Sequence, residues 1–213
     1  MSKPSKSVDI PFNQAEFLIS ALDCQKLPPF RSSVGNFMPE MAMAGRSNVG
    51  KSSLINHLLN RRTLAKVSST PGKTKLINFF AVDDRITLVD LPGYGYAKAN
   101  KEKQEEWSRA IDTYLQKREP LKLIILLLDV RRLPSQEDLD FFNWTQHHKK
   151  QLLIVFTKTD KVNREERENN IKKALEFLHV DASLPYLHYS TKEIESRKKL
   201  AHQINGMLNR SLA

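Results

Sequence analysis

Apolar runs alternate with amphipathic stretches along this chain, the order that predicts an α/β sheet with helices on both faces. Residues Glu40–Gly45 read as a buried strand entering a glycine turn, and Lys51–Leu59 as the helix that follows. Leu76–Val82 and Arg85–Asp90 are strand-like runs parted only by Asp83-Asp84, which is hairpin length, so one strand should run against its neighbours. Glu102–Arg118 carries Trp107, Ala110, Ile111, Tyr114 and Leu115 at helical spacing and stops before Pro120. Leu121–Val130 is nearly all apolar, as expected of a central strand covered on both faces. Ser135-Gln-Glu-Asp138 fits a capping box opening a helix to about His148, and Gln151–Lys158 is a further buried strand. Arg164–Leu178 predicts a helix, Pro185–Ser190 a short strand and Lys192–Leu208 a closing helix. These runs predict a mostly parallel six-stranded sheet with one antiparallel strand. Glu16–Leu22 reads as either an edge strand or a helical turn, so residues 1–22 are expected to be an N-terminal extension and 23–213 a single domain.

Composition narrows the class. The chain has 213 residues, 34 Lys and Arg against 24 Asp and Glu, and one cysteine, Cys24, which rules out an internal disulfide framework and points to a reducing compartment. The first residues, MSKPSKSVDIPFNQAEF, have no apolar core of a signal peptide, and the run Leu123–Leu128 is too short to cross a bilayer, so no membrane association is expected. The closing Arg-Ser-Leu-Ala is no prenylation motif.

Gly45-Arg46-Ser47-Asn48-Val49-Gly50-Lys51-Ser52 has the spacing of a phosphate-binding loop and lies where that chemistry needs it, between a strand and a helix. Backbone N–H groups can turn inward around phosphate oxygens there, aided by the helix N-terminus. Lys51 can reach the β- and γ-phosphates, and Ser52 can ligate Mg²⁺. The run Asp90-Leu91-Pro92-Gly93 closes a later strand: Asp90 can hold the Mg²⁺ shell through water, and the Gly93 N–H can meet a γ-phosphate. Thr74 lies in a basic loop before the next strand, where its hydroxyl can ligate Mg²⁺ when the γ-phosphate is present. Thr157-Lys158-Thr159-Asp160 ends another strand; its carboxylate can accept both the N1–H and the exocyclic N–H of guanine, and the Lys158 stem can lie along the base. Ser190-Thr191-Lys192 can offer a backbone N–H to the guanine O6. Ligands of open α/β sheets bind at strand C-termini, where all four motifs fall. They define a P-loop NTPase of the Ras-like G-domain type, with Lys51, Thr74 and Gly93 as candidate catalytic residues.

The strings GRSNVGKSSLIN, SSTPGKTKLINFF, LVDLPGYGYAK and TKTD resemble those of the EngB (YihA/YsxC) GTPases, relatives of the Era and TrmE group. That resemblance, from about Phe17 onward, implies a cytoplasmic, monomeric GTPase that assists assembly of the large ribosomal subunit and is linked to cell division and septation. It assigns nucleotide binding to Gly45 through Ser52, to Gly72, Lys73, Thr74, Lys75 and Leu76 of the first switch, to Asp90 through Gly93, to Thr157 through Asp160, and to Tyr189, Ser190 and Thr191. The base motif begins with Thr157 where many GTPases have Asn, which leaves the Asn bridging contact open. Ras-like enzymes orient the attacking water with Gln one residue after the Asp-x-x-Gly motif, but Tyr94 stands there, so slow intrinsic hydrolysis aided by a partner is expected. Related GTPases with Asn at position 48 bind K⁺, which makes K⁺ a candidate second cofactor beside Mg²⁺; the bland alternative is that Asn48 only turns the loop.

Five of the seven glycines fall between positions 45 and 95, and +7 of the net charge of +10 falls in residues 41–82, which contain no acid. Arg61, Arg62, Lys66, Lys73 and Lys75 therefore read as either a solvated surface or a contact for rRNA of the large-subunit precursor, with Arg197-Lys198-Lys199 a second candidate patch. Tyr94 and Tyr96 are candidates for stacking on bases or meeting a protein. Cys24 and the aromatic residues Trp107, Tyr114, Phe141, Phe142 and Trp144 read as packing, and His147-His148 as a helix end rather than a metal site.

Overall fold

The computed structural model describes residues 9–22, 24, 27–65, 76–94, 101–180 and 184–212, with backbone only for 101–108 and 212. The strands are β1 (Ala15–Ala21), β2 (Glu40–Gly45), β3 (Ile77–Val82), β4 (Ile86–Asp90), β5 (Leu121–Asp129), β6 (Leu152–Thr157) and β7 (Tyr186–His188). The helices are α1 (Lys51–Leu58), α2 (Lys101–Lys117), α3 (Gln136–His147), α4 (Arg164–Phe177) and α5 (Ile194–Leu212). The sheet has seven strands in the order β1-β3-β4-β2-β5-β6-β7, one more than the six expected. The added strand is β1, which settles the choice left for Glu16–Leu22 in favour of an edge strand. It pairs antiparallel with β3, and β3 pairs antiparallel with β4, so β3 alone runs against the rest and the single reversed strand is as expected.

The hairpin between β3 and β4 turns on Asp83 and Asp84, both in the left-handed region (φ 50° and 54°), the backbone that a two-residue loop needs to match strand twist. The Asp83 carboxylate accepts from the Asn13 and Gln14 N–H groups, and Asp84 from Ser33, tying the N-terminal segment across the turn. Alternate residues of β2 and β5 face opposite layers. Met41, Met43, Leu123 and Ile125 join Leu54, Leu58, Ile204 and Leu208 under α1 and α5. Ala42, Ala44, Ile124 and Leu126 join Tyr114, Phe142 and Ile171 under α2, α3 and α4, together with Cys24. Strand order reverses between β2 and its neighbours β4 and β5, and the crevice above that switch point is where such sheets take their ligands.

Of the aromatic residues read as packing, Tyr114 and Phe142 are buried and Phe141 and Trp144 half-buried against the core, whereas the Trp107 side chain lies outside the described residues. His147 and His148 close α3 and touch ring to ring; among the described residues no cluster of metal-ligating side chains forms there.

Candidate nucleotide site

The glycine loop joins β2 to α1 as its spacing requires. A side chain at Gly45 would place a Cβ 2.8 Å from the Leu127 carbonyl oxygen, so only glycine lets β2 end this close to β5. Asn48 adopts φ 66°, a left-handed backbone that asparagine tolerates, so the turning role left open for it is met. Helix α1 begins after Gly50 with no side-chain cap and no acid in its first turn. By contrast, α3 is closed by a Ser135–Asp138 capping box and α4 by Asn163, each with two acids in the first turn. The uncapped N–H groups and dipole of α1 are thus left for an anion.

Lys51 and Asp90 form an ion pair across the loop, at the ends of α1 and β4. Gly93 lies against the phosphate loop: a Cβ there would be 3.0 Å from both the Ser47 N and Cα atoms. The Ser47 N–H donates to the Tyr94 carbonyl at 2.9 Å and its hydroxyl to the Gly93 carbonyl at 3.3 Å. The Tyr94 side chain points away from the loop. Its hydroxyl donates to Asp138 at 2.7 Å and its ring stacks on Phe141 with centroids 5.8 Å apart. This corrects the reading of Tyr94 as a free stacking residue, because helix α3 holds it. Burial, followed by the Asp138 charge and hydrogen bond, pushes the Tyr94 phenol up, so it stays a donor at physiological pH.

Thr157 supplies the bridge left open by the missing asparagine. Its buried hydroxyl lies 2.7 Å from the Val49 carbonyl of the phosphate loop and 3.2 Å from the Leu128 carbonyl. Thr157→Val keeps the shape but strands these carbonyls, so nucleotide affinity should fall about tenfold, matching a penalty of about 1–3 kcal/mol for a buried acceptor left unmade. Fluorescent GDP titration checks this.

Lys158, in a left-handed backbone (φ 60°), places its ammonium 2.6 Å from the Asn48 carbonyl and 2.9 Å from Asp129. Asp129 was not singled out in the sequence; its signal was an acid ending an apolar strand two residues before an arginine. Burial alone would raise its carboxyl, but hydrogen bonds from Arg131 and Lys158 prevail and hold it at about 2. It is therefore ionised at physiological pH and keeps Lys158 over the loop.

Asp160 sits beyond β6 with Oδ1 accepting from the Ser190 hydroxyl at 3.0 Å. Its Oδ2 is buried and has no hydrogen bond, the Lys192 ammonium being 3.2 Å away without alignment. Burial pushes the Asp160 carboxyl up, yet Lys192 and Ser190 outweigh it and hold it below the usual carboxylate range. An ionised oxygen lacking a donor suits a ligand that brings N–H groups. The Ser190 N–H is taken by the Ser196 hydroxyl at 3.2 Å. Tyr189 points into the core with its hydroxyl 2.8 Å from His57 Nδ1, and contributes here through its carbonyl, 3.4 Å from the Thr159 N.

Thr159 is buried, Leu91 lies under the loop in the core, and Pro92, Ser52 and Leu76 are half-buried. Gly72, Lys73, Thr74 and Lys75 lie outside the described residues, as do Lys66, Gly95 and Tyr96. Arg61 and Arg62 are exposed. Arg197 is removed from the second basic patch, because it donates to the Leu58 and Phe12 carbonyls at 2.9 and 3.1 Å.

A reversed strand beside a parallel sheet, an uncapped helix behind a glycine loop and a carboxylate beyond β6 together define a P-loop GTPase. A family model described as 50S ribosome-binding GTPase matches residues 40–158. A probable GTP-binding protein EngB of Protochlamydia amoebophila is 46% identical over 92% of this chain and 95% of its own. The Clostridium acetobutylicum counterpart is 43% identical over 93% of this chain and 96% of its own. A crystal structure of a probable GTP-binding protein engB superposes with a TM-score of 0.68 over 80% of this chain and 99% of that one, at 22% identity. The chain belongs to the EngB family of GTP-binding proteins.

Proposed function

We propose that this chain is a GTP-hydrolysing switch whose GTP form docks on a precursor of the large ribosomal subunit in the cytoplasm, where it assists assembly and thereby supports cell division and septation. The observation that carries a switch is the contact of Gly93 with Ser47, because any group entering the phosphate loop is felt at once by the Asp90–Gly93 segment. The family description adds the ribosome as partner.

The donors present fit Mg²⁺. Ser52 offers a hydroxyl, and Asp90 keeps a second carboxylate oxygen beyond the one paired with Lys51. Hard oxygen donors with no all-protein cage among the described residues suit an ion held largely by phosphates. Ser52 and Thr74 would hold it directly and Asp90 through water; when bound, it neutralises charge on the phosphate oxygens. Lys51 leaves its pairing with Asp90 to meet the β- and γ-phosphates. The Gly93 N–H holds the γ-phosphate, and Thr157 with Lys158 keeps the loop in register with the base. Asp160 and Thr191 read guanine.

With Tyr94 committed to Asp138, the chain offers no side chain at that position to orient water. Intrinsic turnover is accordingly slow, on the order of 10⁻⁴ s⁻¹ as in unassisted Ras, and a partner or K⁺ near Asn48 supplies the stimulation. The anchoring of Tyr94 also favours a second reading, a non-enzymatic, guanine-nucleotide-dependent RNA-binding module. One experiment separates them: GTP turnover in K⁺ and in Na⁺ buffer with and without large subunits, alongside cosedimentation in the GTP-analogue and GDP forms. A switch binds subunits in the analogue form and is stimulated by them. Equal sedimentation and no stimulation favour the module, and equal turnover in K⁺ and Na⁺ removes the K⁺ role.

A further inference from the structure

At the edge of the sheet opposite the nucleotide motifs, a cavity of about 230 Å³ is lined by Lys122, Lys149, Lys150, Gln151 and Ser211 together with the start of β5. Strand β5 runs from this cavity at Leu121 to Asp129 beside the phosphate loop, a separation of about 26 Å at ~3.3 Å per residue. We propose that this cavity binds a backbone phosphate of RNA, as a second contact that does not compete with GTP. The proposal rests on the ribosomal reading above for the identity of the polyanion.

The lining is made of donors. It carries three ammonium groups and no acid. None of the three lysines lies within 4.0 Å of a carboxylate among the described residues. The Ser211 hydroxyl donates to Gln151 Oε1 at 2.7 Å, which turns the same amide's N–H₂ donors toward other acceptors. Burial chiefly, and then the charge of Lys122, holds the Lys150 ammonium below the usual lysine range.

Lys149 carries a second sign. It follows the C-cap of α3 in a left-handed backbone (φ 50°), with its N–H donating to Gln146 and that of Lys150 to Thr145. Asn60 and His179 follow the C-caps of α1 and α4 in the same backbone (φ 50° and 52°), so the turn is common to three helices and what Lys149 adds is its charge.

The bland alternative is that these lysines merely offset helix dipoles, since α3 and α5 both end nearby. Magnitudes decide against it. Two helix C-termini supply about −0.5 charge each, against three full positive charges, which leaves about +2 uncompensated.

The test is binding of a short fluorescein-labelled oligouridylate to the whole chain in its GDP form, followed by anisotropy between about 50 and 200 mM salt. The triple variant Lys122→Gln, Lys149→Gln, Lys150→Gln is expected to bind about tenfold more weakly at the low end, with its salt slope reduced by about 0.7, the share of one lost phosphate contact on a single strand. Its GDP affinity should be unchanged. Lys149→Gly guards against misfolding: it should keep or raise the melting temperature while still weakening RNA binding. A triple variant that binds RNA like the parent overturns the pocket and leaves the ribosomal reading standing. Failure of the parent to bind RNA overturns the pocket, whereas the ribosomal reading falls only if the GTP-analogue form fails to cosediment with large subunits. An equal loss from Lys172→Gln with Lys173→Gln, exposed on α4, means diffuse charge and overturns the pocket. Inorganic phosphate that raises the melting temperature of the parent but not of the triple variant, with RNA binding equal in the two, assigns the cavity to a free phosphate and overturns the RNA assignment.

Discussion

The Asp160→Asn protein is expected to lose at least about 100-fold in GTP affinity and to gain affinity for xanthosine triphosphate. Hydrogen bonds to a charged group are worth about 1.5–3 kcal/mol each, and guanine brings two N–H donors to this carboxylate. Losing the charge weakens both, and the amide N–H₂ then faces the exocyclic amine of guanine as donor against donor. Xanthine carries a carbonyl at that place, so the same amide donates to it. Isothermal titration with both nucleotides reads the switch directly. Unchanged GTP affinity would refute guanine recognition by Asp160. Because Asp160 also holds the Ser190 hydroxyl, an equal loss for both nucleotides would instead show that it shapes the loop without reading the base.

The largest stability effect is expected far from the chemistry. Glu40, at the start of β2, is fully buried. It accepts from Arg118 Nε and Nη2 at 2.9 and 2.6 Å and from the Tyr114 hydroxyl at 3.0 Å. Arg118 also donates to the Leu27 and Pro28 carbonyls, so one guanidinium joins β2, the end of α2 and the N-terminal segment. Glu40→Ala leaves that cation buried with its charge uncompensated, at a cost of about 3–5 kcal/mol. For a chain of this length the melting temperature should fall by about 10 °C. GDP affinity, measured well below that transition, should change little, because no nucleotide motif touches the cluster. A fall under about 2 °C in scanning fluorimetry would mean that Arg118 finds another partner.

What was legible in the sequence was whatever depends on near neighbours. The apolar run of β5, the Ser135–Asp138 capping box and the two-residue hairpin at Asp83-Asp84 each announce themselves within a few residues. The motifs were legible for a related reason: a phosphate loop is a local backbone shape. Strand β1 stayed ambiguous because its partner lies far along the chain; Ala15 pairs with Val82, and no short window contains both. The anchoring of Tyr94 depends on α3 folding back beside it, and the hydroxyl bridge from Thr157 to Val49 on the approach of β6 to a loop more than a hundred residues earlier. Asp129 could have been suspected from charge alone, but its hold on Lys158 is visible only once β5 and β6 end side by side.

The long reach of β1 also sets an order of events during synthesis. The strand leaves the ribosome before the residues it must pair with exist, and Val82 follows Ala15 by about 3 to 13 s at ~5–20 residues per second. Throughout that interval Phe17, which ends up edge-to-face on Phe80 with centroids 5.7 Å apart, has no ring to meet. The sheet margin is therefore timed by translation speed, and slowing the ribosome between these two strands would lengthen the exposure of an apolar edge without altering a single native contact.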